Sequence, residues 1–181
     1  MIPILSLRAQ RSNPPLPLLP LLLTLTLLLA ACADAGPDSA RGIDEGDRAT
    51  DFALTTLDGD QVSLDDYLGS AVLLNFWATW CAPCEAEVPD LEAAYRAHQA
   101  DGLVILGVSV QEKPESVRPF VENYDVTYPI LLDTDGKVMN TYRPLGLPTT
   151  IVIDREGIIR ARHMGLITPA QIEGYVADLL P

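Results

Sequence analysis

The sequence is poor in basic residues and in the residue types that bind metals. Its 181 residues contain 12 Lys and Arg against 25 Asp and Glu, a formal net charge of −13, with only two His and three Cys. A nucleic-acid site or an anionic lipid surface needs clustered cations, so the composition argues against both partners. Three cysteines also exclude a four-cysteine zinc site within one chain. No metal and no other cofactor is therefore predicted.

The first 31 residues have the pattern of an export signal. Arg8 and Arg11 form a positive start, and a Leu-rich run follows over residues 16–29. This run is shorter than the roughly 20 residues of a membrane-spanning helix, and prolines interrupt it. Leu29-Ala30-Ala31-Cys32 resembles a bacterial lipobox, in which cleavage precedes the cysteine and the cysteine receives lipid. An uncleaved anchor, or an ordinary signal peptide with a chance cysteine, would fit the same residues.

This pattern divides the chain into three parts. Residues 1–31 are the predicted signal peptide, residues 32–50 the lipidated Cys32 and a flexible tether, and residues 51–181 the folded domain. The tether prediction rests on breaker residues and on the lack of any hydrophobic period. We expect an extracytoplasmic domain held at the membrane by its lipid alone, in a compartment where disulfide chemistry operates.

Strand and helix patterns alternate from residue 51 onward. The predicted strands form a hairpin around Asp58-Gly59, buried runs over 71–76, 103–110 and 129–132, and a second hairpin from 149–153 and 158–163. Helical patterns cover 82–100, the segment from Pro114, a short stretch before the second hairpin, and the segment from Thr168. Such alternation predicts an α/β fold with a central sheet flanked by helices.

The chemistry-bearing motif is Cys81-Ala82-Pro83-Cys84, which follows a buried strand and opens a helix. Free N–H groups and the positive dipole end of the helix stabilise a thiolate on Cys81. Cys84 lies one turn later and can resolve a mixed disulfide on Cys81. A structural disulfide over two residues would stabilise the fold little, and metal ligation would need more ligands than His98 and His163 offer. The motif therefore predicts redox chemistry.

Residues 75–84, Asn-Phe-Trp-Ala-Thr-Trp-Cys-Ala-Pro-Cys, resemble the active-site stretch of the TlpA/ResA group of thioredoxin-like proteins. Glu87-Val88-Pro89, Val110-Gln111-Glu112 and Gly146-Leu147-Pro148-Thr149-Thr150 match three further stretches of that group. The resemblance covers the domain from Asp51 and implies a thioredoxin-like fold. Its mixed sheet would carry an N-terminal β-hairpin and an inserted βαβ element.

The resemblance also implies roles for particular residues. Asn75 stands where thioredoxin has a buried acid, so proton handling passes to Glu87, whose alternative is an exposed helix position. Glu112 is a possible second acid, with a solvated acid as the alternative. Pro148 is expected to follow a cis bond and face the cysteines. The expected client platform consists of Trp80, Ala82, Pro83, Leu147 and Thr149.

The expected function is reduction of disulfides in exported proteins. The resemblance suggests apocytochrome c as the client during cytochrome c maturation, and a membrane electron donor of DsbD/CcdA type. The reducing direction has a local argument. Neither Ala82 nor Pro83 carries a cation to stabilise a thiolate, and Glu85 and Glu87 oppose one.

Two other function classes share features with this chain. A peroxiredoxin-like peroxidase needs Pro-x-x-x-Thr/Ser-x-x-Cys, but Leu74 and Ala78 precede Cys81, and Trp77 and Cys81 precede Cys84. A copper carrier of Sco type, which is not an enzyme, needs C-x-x-x-C and a suitably placed histidine. Copper titration of the reduced domain would distinguish the copper carrier from disulfide reduction.

Overall fold

The computed structural model describes residues 40–180, so the predicted signal peptide and Cys32 lie outside the described residues. The strands in this range are β1 (Arg41–Gly42), β2 (Arg48–Ala49), β3 (Ala53–Thr56), β4 (Gln61–Ser63), β5 (Ala71–Trp77), β6 (Leu103–Val110), β7 (Ile130–Asp133), β8 (Thr149–Ile153) and β9 (Ile159–Met164). The helices are α1 (Ala82–His98), α2 (Pro114–Asn123), α3 (Lys137–Tyr142) and α4 (Pro169–Leu179). None of these helices is long and apolar enough to cross a membrane.

Seven strands form one mixed sheet in the order β4-β3-β7-β6-β5-β8-β9. β5, β6 and β7 run parallel, whereas β3, β4, β8 and β9 pair antiparallel with their neighbours. The hairpin β3–β4 lies at one edge, and β6–α2–β7 is the parallel crossover that the sequence predicts. The α/β prediction with a mixed sheet and flanking helices is confirmed.

β5 is the central strand, and all seven of its residues are buried. Successive side chains point to opposite faces, so the continuous apolar run supplies two cores at once. On one face, Leu73 and Trp77 pack with residues of α1, α2 and α4. On the other face, Leu74 and Phe76 pack with α3 and the N-terminal segment. The end of β5 is therefore fixed from both sides, and the cysteine motif begins four residues beyond it.

Helix ends follow local signals in the sequence. Thr168 is the N-cap of α4 and forms the predicted capping box with Gln171. Cys81 is the N-cap of α1, with proline in the first turn. The sequence pattern extends α1 to residue 100, but α1 ends at His98 and continues as a short 3-10 turn.

The tether prediction is wrong for residues 41–50. Ala49 N–H donates to the Gly157 carbonyl, and Ile159 N–H donates to the Asp47 carbonyl, both at 2.9 Å. Ala49 is buried, and Arg41 forms an ion pair with Asp65. Because these contacts are made mainly by the backbone to a distant hairpin, side-chain periodicity gives no sign of them.

Candidate active site

The two cysteines of the motif are joined in a disulfide at the start of α1. Cys81 is 5% exposed and Cys84 is fully buried, and Cys84 N–H donates to Cys81 Sγ at 3.3 Å. A backbone donor aimed at Sγ of Cys81 stabilises negative charge there once the disulfide opens. The structure joins the two cysteines, and Cys81 is slightly more exposed than Cys84.

Glu87 is buried one helical turn after Cys84, with 1% of its surface exposed. Oε1 accepts from Nδ2 of Asn75 at 2.7 Å, and Oε2 accepts from the backbone N–H of Ile167 at 3.0 Å. Burial raises the pKa of Glu87 to about 7, although both hydrogen bonds favour the ionised form. The exposed-acid alternative is therefore wrong. A buried carboxyl with this pKa can gain or lose a proton near neutral pH.

Glu112 holds the loop that leads into the motif. Its carboxylate accepts from Thr79 N–H at 2.9 Å, from the Thr79 hydroxyl, and from the Ser109 hydroxyl at 3.1 Å. Gln111 has φ of +56°, a left-handed conformation that turns the chain after β6. All three contacts made by Glu112 are to the loop and to β6. Glu112 therefore anchors the loop at Thr79, two residues before Cys81.

The Leu147–Pro148 peptide bond is cis, as the sequence predicts. Thr149, the next residue, pairs with Phe76 near the end of β5, so Pro148 lies at the sheet edge from which the cysteine loop departs. The Pro148 carbonyl accepts from Gly165 N–H at 2.9 Å. Among residues 40–180, the backbone N–H and C=O of Leu147 have no hydrogen-bond partner.

The expected platform residues differ in how far they reach solvent. Trp80 is 72% exposed, and Ala82 and Pro83 are exposed beside it. Thr149 is buried, and its hydroxyl donates to the Gly146 carbonyl at 2.7 Å. The Thr149 side chain therefore holds the loop of residues 146–148, called the proline loop below, and is not free to contact a client.

Sequence reasoning missed three exposed apolar residues: Leu145, Met164 and Leu166. Met164 pairs with Thr149 across the β8–β9 ladder, and Leu145 lies three residues before Pro148. For Met164 and Leu166, the sequence signal was their place on either side of Gly165. Sequence reasoning also missed Thr150 and Ile167, which take part in the hydrogen bonds around Glu87.

Glu85 and the histidines occupy places outside this cluster. Glu85 is exposed in the first turn of α1 and accepts from the hydroxyl of Tyr124, the residue that follows α2. His98 contacts Glu173, and His163 contacts the Leu166 carbonyl. Among the residues that the structure describes, no three His, Cys, Asp or Glu side chains form a group suited to a metal ion.

Comparison with known proteins agrees with this geometry. The model of the AhpC/TSA family matches residues 45–162. Thioredoxin-like protein YneN of Bacillus subtilis (strain 168) is 42% identical over 135 residues, which cover 73% of this chain and 78% of that protein. Thiol-disulfide oxidoreductase ResA of Geobacillus kaustophilus (strain HTA426) is 40% identical over 136 residues, covering 75% and 78%.

A solved structure has a similar fold. The crystal structure of a putative thiol:disulfide interchange protein DsbE from Chlorobium tepidum superposes with a TM-score of 0.72 at 30% identity. The superposition covers 77% of this chain and all of the other. The thioredoxin-like fold that the sequence predicts is thus confirmed.

Proposed function

The chain belongs to the AhpC/TSA family and is a thiol-disulfide oxidoreductase, and we propose that it reduces disulfide bonds in exported polypeptides. The observation that carries the proposal is the Cys81–Cys84 disulfide at a helix N-terminus, with the buried carboxyl of Glu87 one turn beyond it. This arrangement supplies a nucleophile, a resolving thiol and a proton acceptor.

The proposed reaction starts from the dithiol. The Cys81 thiol first loses its proton to solvent. The Cys81 thiolate attacks one sulfur of the client disulfide, that S–S bond breaks, and the departing client thiolate takes a proton from solvent. Cys84 then loses its proton to Glu87 and attacks Sγ of Cys81, the S–S bond between Cys81 and the client breaks, and the second client sulfur takes the proton from Glu87. Two electrons and two protons pass to the client, and the chain is left with the Cys81–Cys84 disulfide found in the structure.

An extended client segment can lie between two parts of the site. One part is the exposed group Trp80, Ala82 and Pro83, and the other is the proline loop. The unpartnered backbone of Leu147 can pair with the client backbone as an added strand. Leu145, Met164 and Leu166 add exposed apolar surface near Pro148 and the β8–β9 ladder. Apocytochrome c, whose haem-binding cysteines must be reduced, is the client class that we propose.

The reducing direction follows from charge near the cysteines. The two residues between them carry no cation, and Glu85 places a carboxylate in the first turn of α1. A strong oxidant is one whose reduced form is stabilised, usually as a low-pKa thiolate, and these features work against that. Equilibration with glutathione tests the direction. We expect a reduction potential nearer to the about −270 mV of thioredoxin than to the about −120 mV of DsbA.

A potential near the DsbA value would contradict the reducing direction and leave the exchange chemistry intact. The peroxidase alternative is tested separately by mixing the reduced protein with hydrogen peroxide. We expect no catalytic peroxide consumption, because the residues before both cysteines lack the peroxidase pattern.

The proposed location is the outer face of a membrane, with lipid on Cys32 and recharging by a membrane donor of DsbD/CcdA type. The support is the signal-like sequence of residues 1–31 and the lipobox-like residues before Cys32. Cell fractionation of the full chain and of Cys32→Ser tests the anchor. We expect the variant to leave the membrane fraction, whereas retention at wild-type level would contradict lipid anchoring.

A further inference from the structure

Asn75 is a buried amide in the middle of the otherwise apolar strand β5. It is 2% exposed, and its neighbours Leu74 and Phe76 are fully buried. A buried amide is costly unless its polar atoms find partners. Nδ2 of Asn75 has two, since it donates to Oε1 of Glu87 at 2.7 Å and to Oγ1 of Thr150 at 3.1 Å.

These two contacts fix which way the amide faces. An ionised carboxylate only accepts hydrogen bonds, so the nitrogen of Asn75 must face Glu87. The second N–H of the same nitrogen then points to Thr150, which is the direct partner of Asn75 in the β5–β8 ladder. Directly opposed residues in an antiparallel pair share one face of the sheet, so the register of β5 and β8 brings the Asn75 and Thr150 side chains together. Glu87 reaches Asn75 from helix α1.

We propose that Asn75 is a positioning residue for Glu87, holding its carboxylate in a fixed place one helical turn beyond Cys84, and that Thr150 holds Asn75 in the required orientation. This inference rests on the proposed function, in which Glu87 takes the proton of Cys84. Asn75 itself touches neither cysteine in this account and exchanges no proton, because a side-chain amide does not titrate.

Other groups also bear on Glu87 from the elements packed around it. Asp90, on the same helix, adds to the burial that raises the pKa of Glu87. Tyr128, two residues before β7, is buried, and its pKa is raised by that burial and by the charge of Glu87. The Ile167 N–H, in the loop before α4, donates to the Glu87 carboxylate. His163 on β9 pairs with Thr150 in the β8–β9 ladder. Only the Asn75 and Ile167 groups donate directly to the carboxylate among the described residues.

Removal of the Asn75 amide should shift the pKa of Glu87 in a known direction. A donor favours the ionised form of its acceptor, so in Asn75→Leu the carboxyl of Glu87 should titrate at higher pH. Loss of one buried hydrogen bond corresponds to an upward movement of about one pH unit. Thr150→Val should move the midpoint in the same direction by less, because Asn75 keeps its place but loses its second partner.

The test measures the Glu87 carboxyl carbon by NMR in the oxidised protein as pH is varied. The variants are Asn75→Leu, Thr150→Val and Thr150→Ser, the last retaining the hydroxyl. We expect the Glu87 titration midpoint to rise in Asn75→Leu and in Thr150→Val, and to stay at the wild-type value in Thr150→Ser. A wild-type midpoint in both Asn75→Leu and Thr150→Val would overturn the proposal. If Asn75→Leu does not fold, the Thr150 pair decides, since Thr150→Val is isosteric.

A second readout separates this inference from the proposed function. It is the pH profile for resolution of a mixed disulfide on Cys81, measured for Asn75→Leu with Glu87 present and with Glu87→Gln. Asn75→Leu should move the profile upward only when Glu87 is present. Equal movement in both backgrounds overturns the positioning role. A profile that Glu87→Gln leaves unchanged contradicts the proton role of Glu87, while the carboxyl titration still reports on Asn75.

Discussion

The backbone N–H of Ile167 donates a 3.0 Å hydrogen bond to Oε2 of Glu87. Two residues earlier, the N–H of Gly165 donates to the carbonyl of Pro148 at 2.9 Å. The segment 165–167 therefore connects the buried acid to the proline loop, and it carries the exposed side chain of Leu166 between these two contacts. A change in the charge of Glu87 acts directly on this segment.

The amide of Ile167 should report the ionisation of Glu87. When Glu87 gains a proton, the charge-assisted hydrogen bond from Ile167 becomes a weaker neutral one. We expect the Ile167 amide nitrogen and proton shifts of the oxidised protein to titrate with a midpoint of about 7, the pKa of Glu87. In Glu87→Gln the same amide should be flat across this range. An Ile167 titration that survives the substitution would show that another group is responsible.

The stability of the oxidised protein should fall as pH rises toward 8. Burial raises the pKa of Glu87 from 4.5 to about 7, so the folded state binds more protons than the unfolded state between these values. The stability that comes from protonated Glu87 is fully present below pH 4.5 and is lost as pH rises through 7. At about 1.4 kcal/mol per pKa unit, Glu87 accounts for about 3 kcal/mol of this loss.

Denaturant unfolding at pH 5 and pH 8 measures this effect. Glu87→Gln is expected to lose stability at both pH values, because its NH₂ must face the Asn75 or the Ile167 donor. Relative to wild type, however, the variant should gain about 2.5 kcal/mol between pH 5 and pH 8, because part of the Glu87 contribution is already lost at pH 5. Glu85→Gln, an exposed change in the same helix, is the control and should show no such gain. A constant difference between wild type and Glu87→Gln would refute the buried ionisation.

Glu112→Ala should loosen the loop before Cys81. The substitution leaves Thr79 N–H and the hydroxyls of Thr79 and Ser109 without their shared acceptor. We expect the free energy of unfolding to fall by about 1–3 kcal/mol and exchange with a model disulfide to slow. Glu115→Ala, at an exposed position in the first turn of α2, is the matched control. If Glu112→Ala keeps the wild-type exchange rate and stability, Glu112 has no role in holding the loop before Cys81.

In the reduced protein, Cys81 should be alkylated before Cys84. Cys81 is the more exposed cysteine and lies at the N-cap of α1, where the helix end favours thiolate. Brief treatment with iodoacetamide followed by peptide mass mapping gives the order directly. Preferential modification of Cys84 would reverse the assignment of attacking and resolving thiols.

Local signals in the sequence were enough to predict most of the fold. The mostly apolar runs at 71–76 and 103–110, and the capping residues at Thr168 and Gln171, each determine their element from a few neighbouring residues. Residues 41–50 could not be predicted in this way, because their order comes from backbone pairing with residues 157–159.

The site shows the same division between local and distant information. Cys81 and Cys84 are recognisable from spacing and from the strand–helix junction, and a matching motif indicated Glu87. The partners of Glu87 are distant in the chain, since Ile167 follows it by 80 residues and Thr150 follows Asn75 by 75. Only the sheet register and the docking of the loop before α4 bring them together.

The most direct test of the account is capture of the mixed disulfide. Reduced Cys84→Ser is mixed with a synthetic peptide that contains one internal disulfide, and the product is weighed by mass spectrometry without reductant. We predict a covalent adduct of one chain and one peptide, linked through Cys81, and no adduct with Cys81→Ser. An adduct formed by Cys81→Ser but not by Cys84→Ser, or no adduct with either variant, would contradict exchange through Cys81.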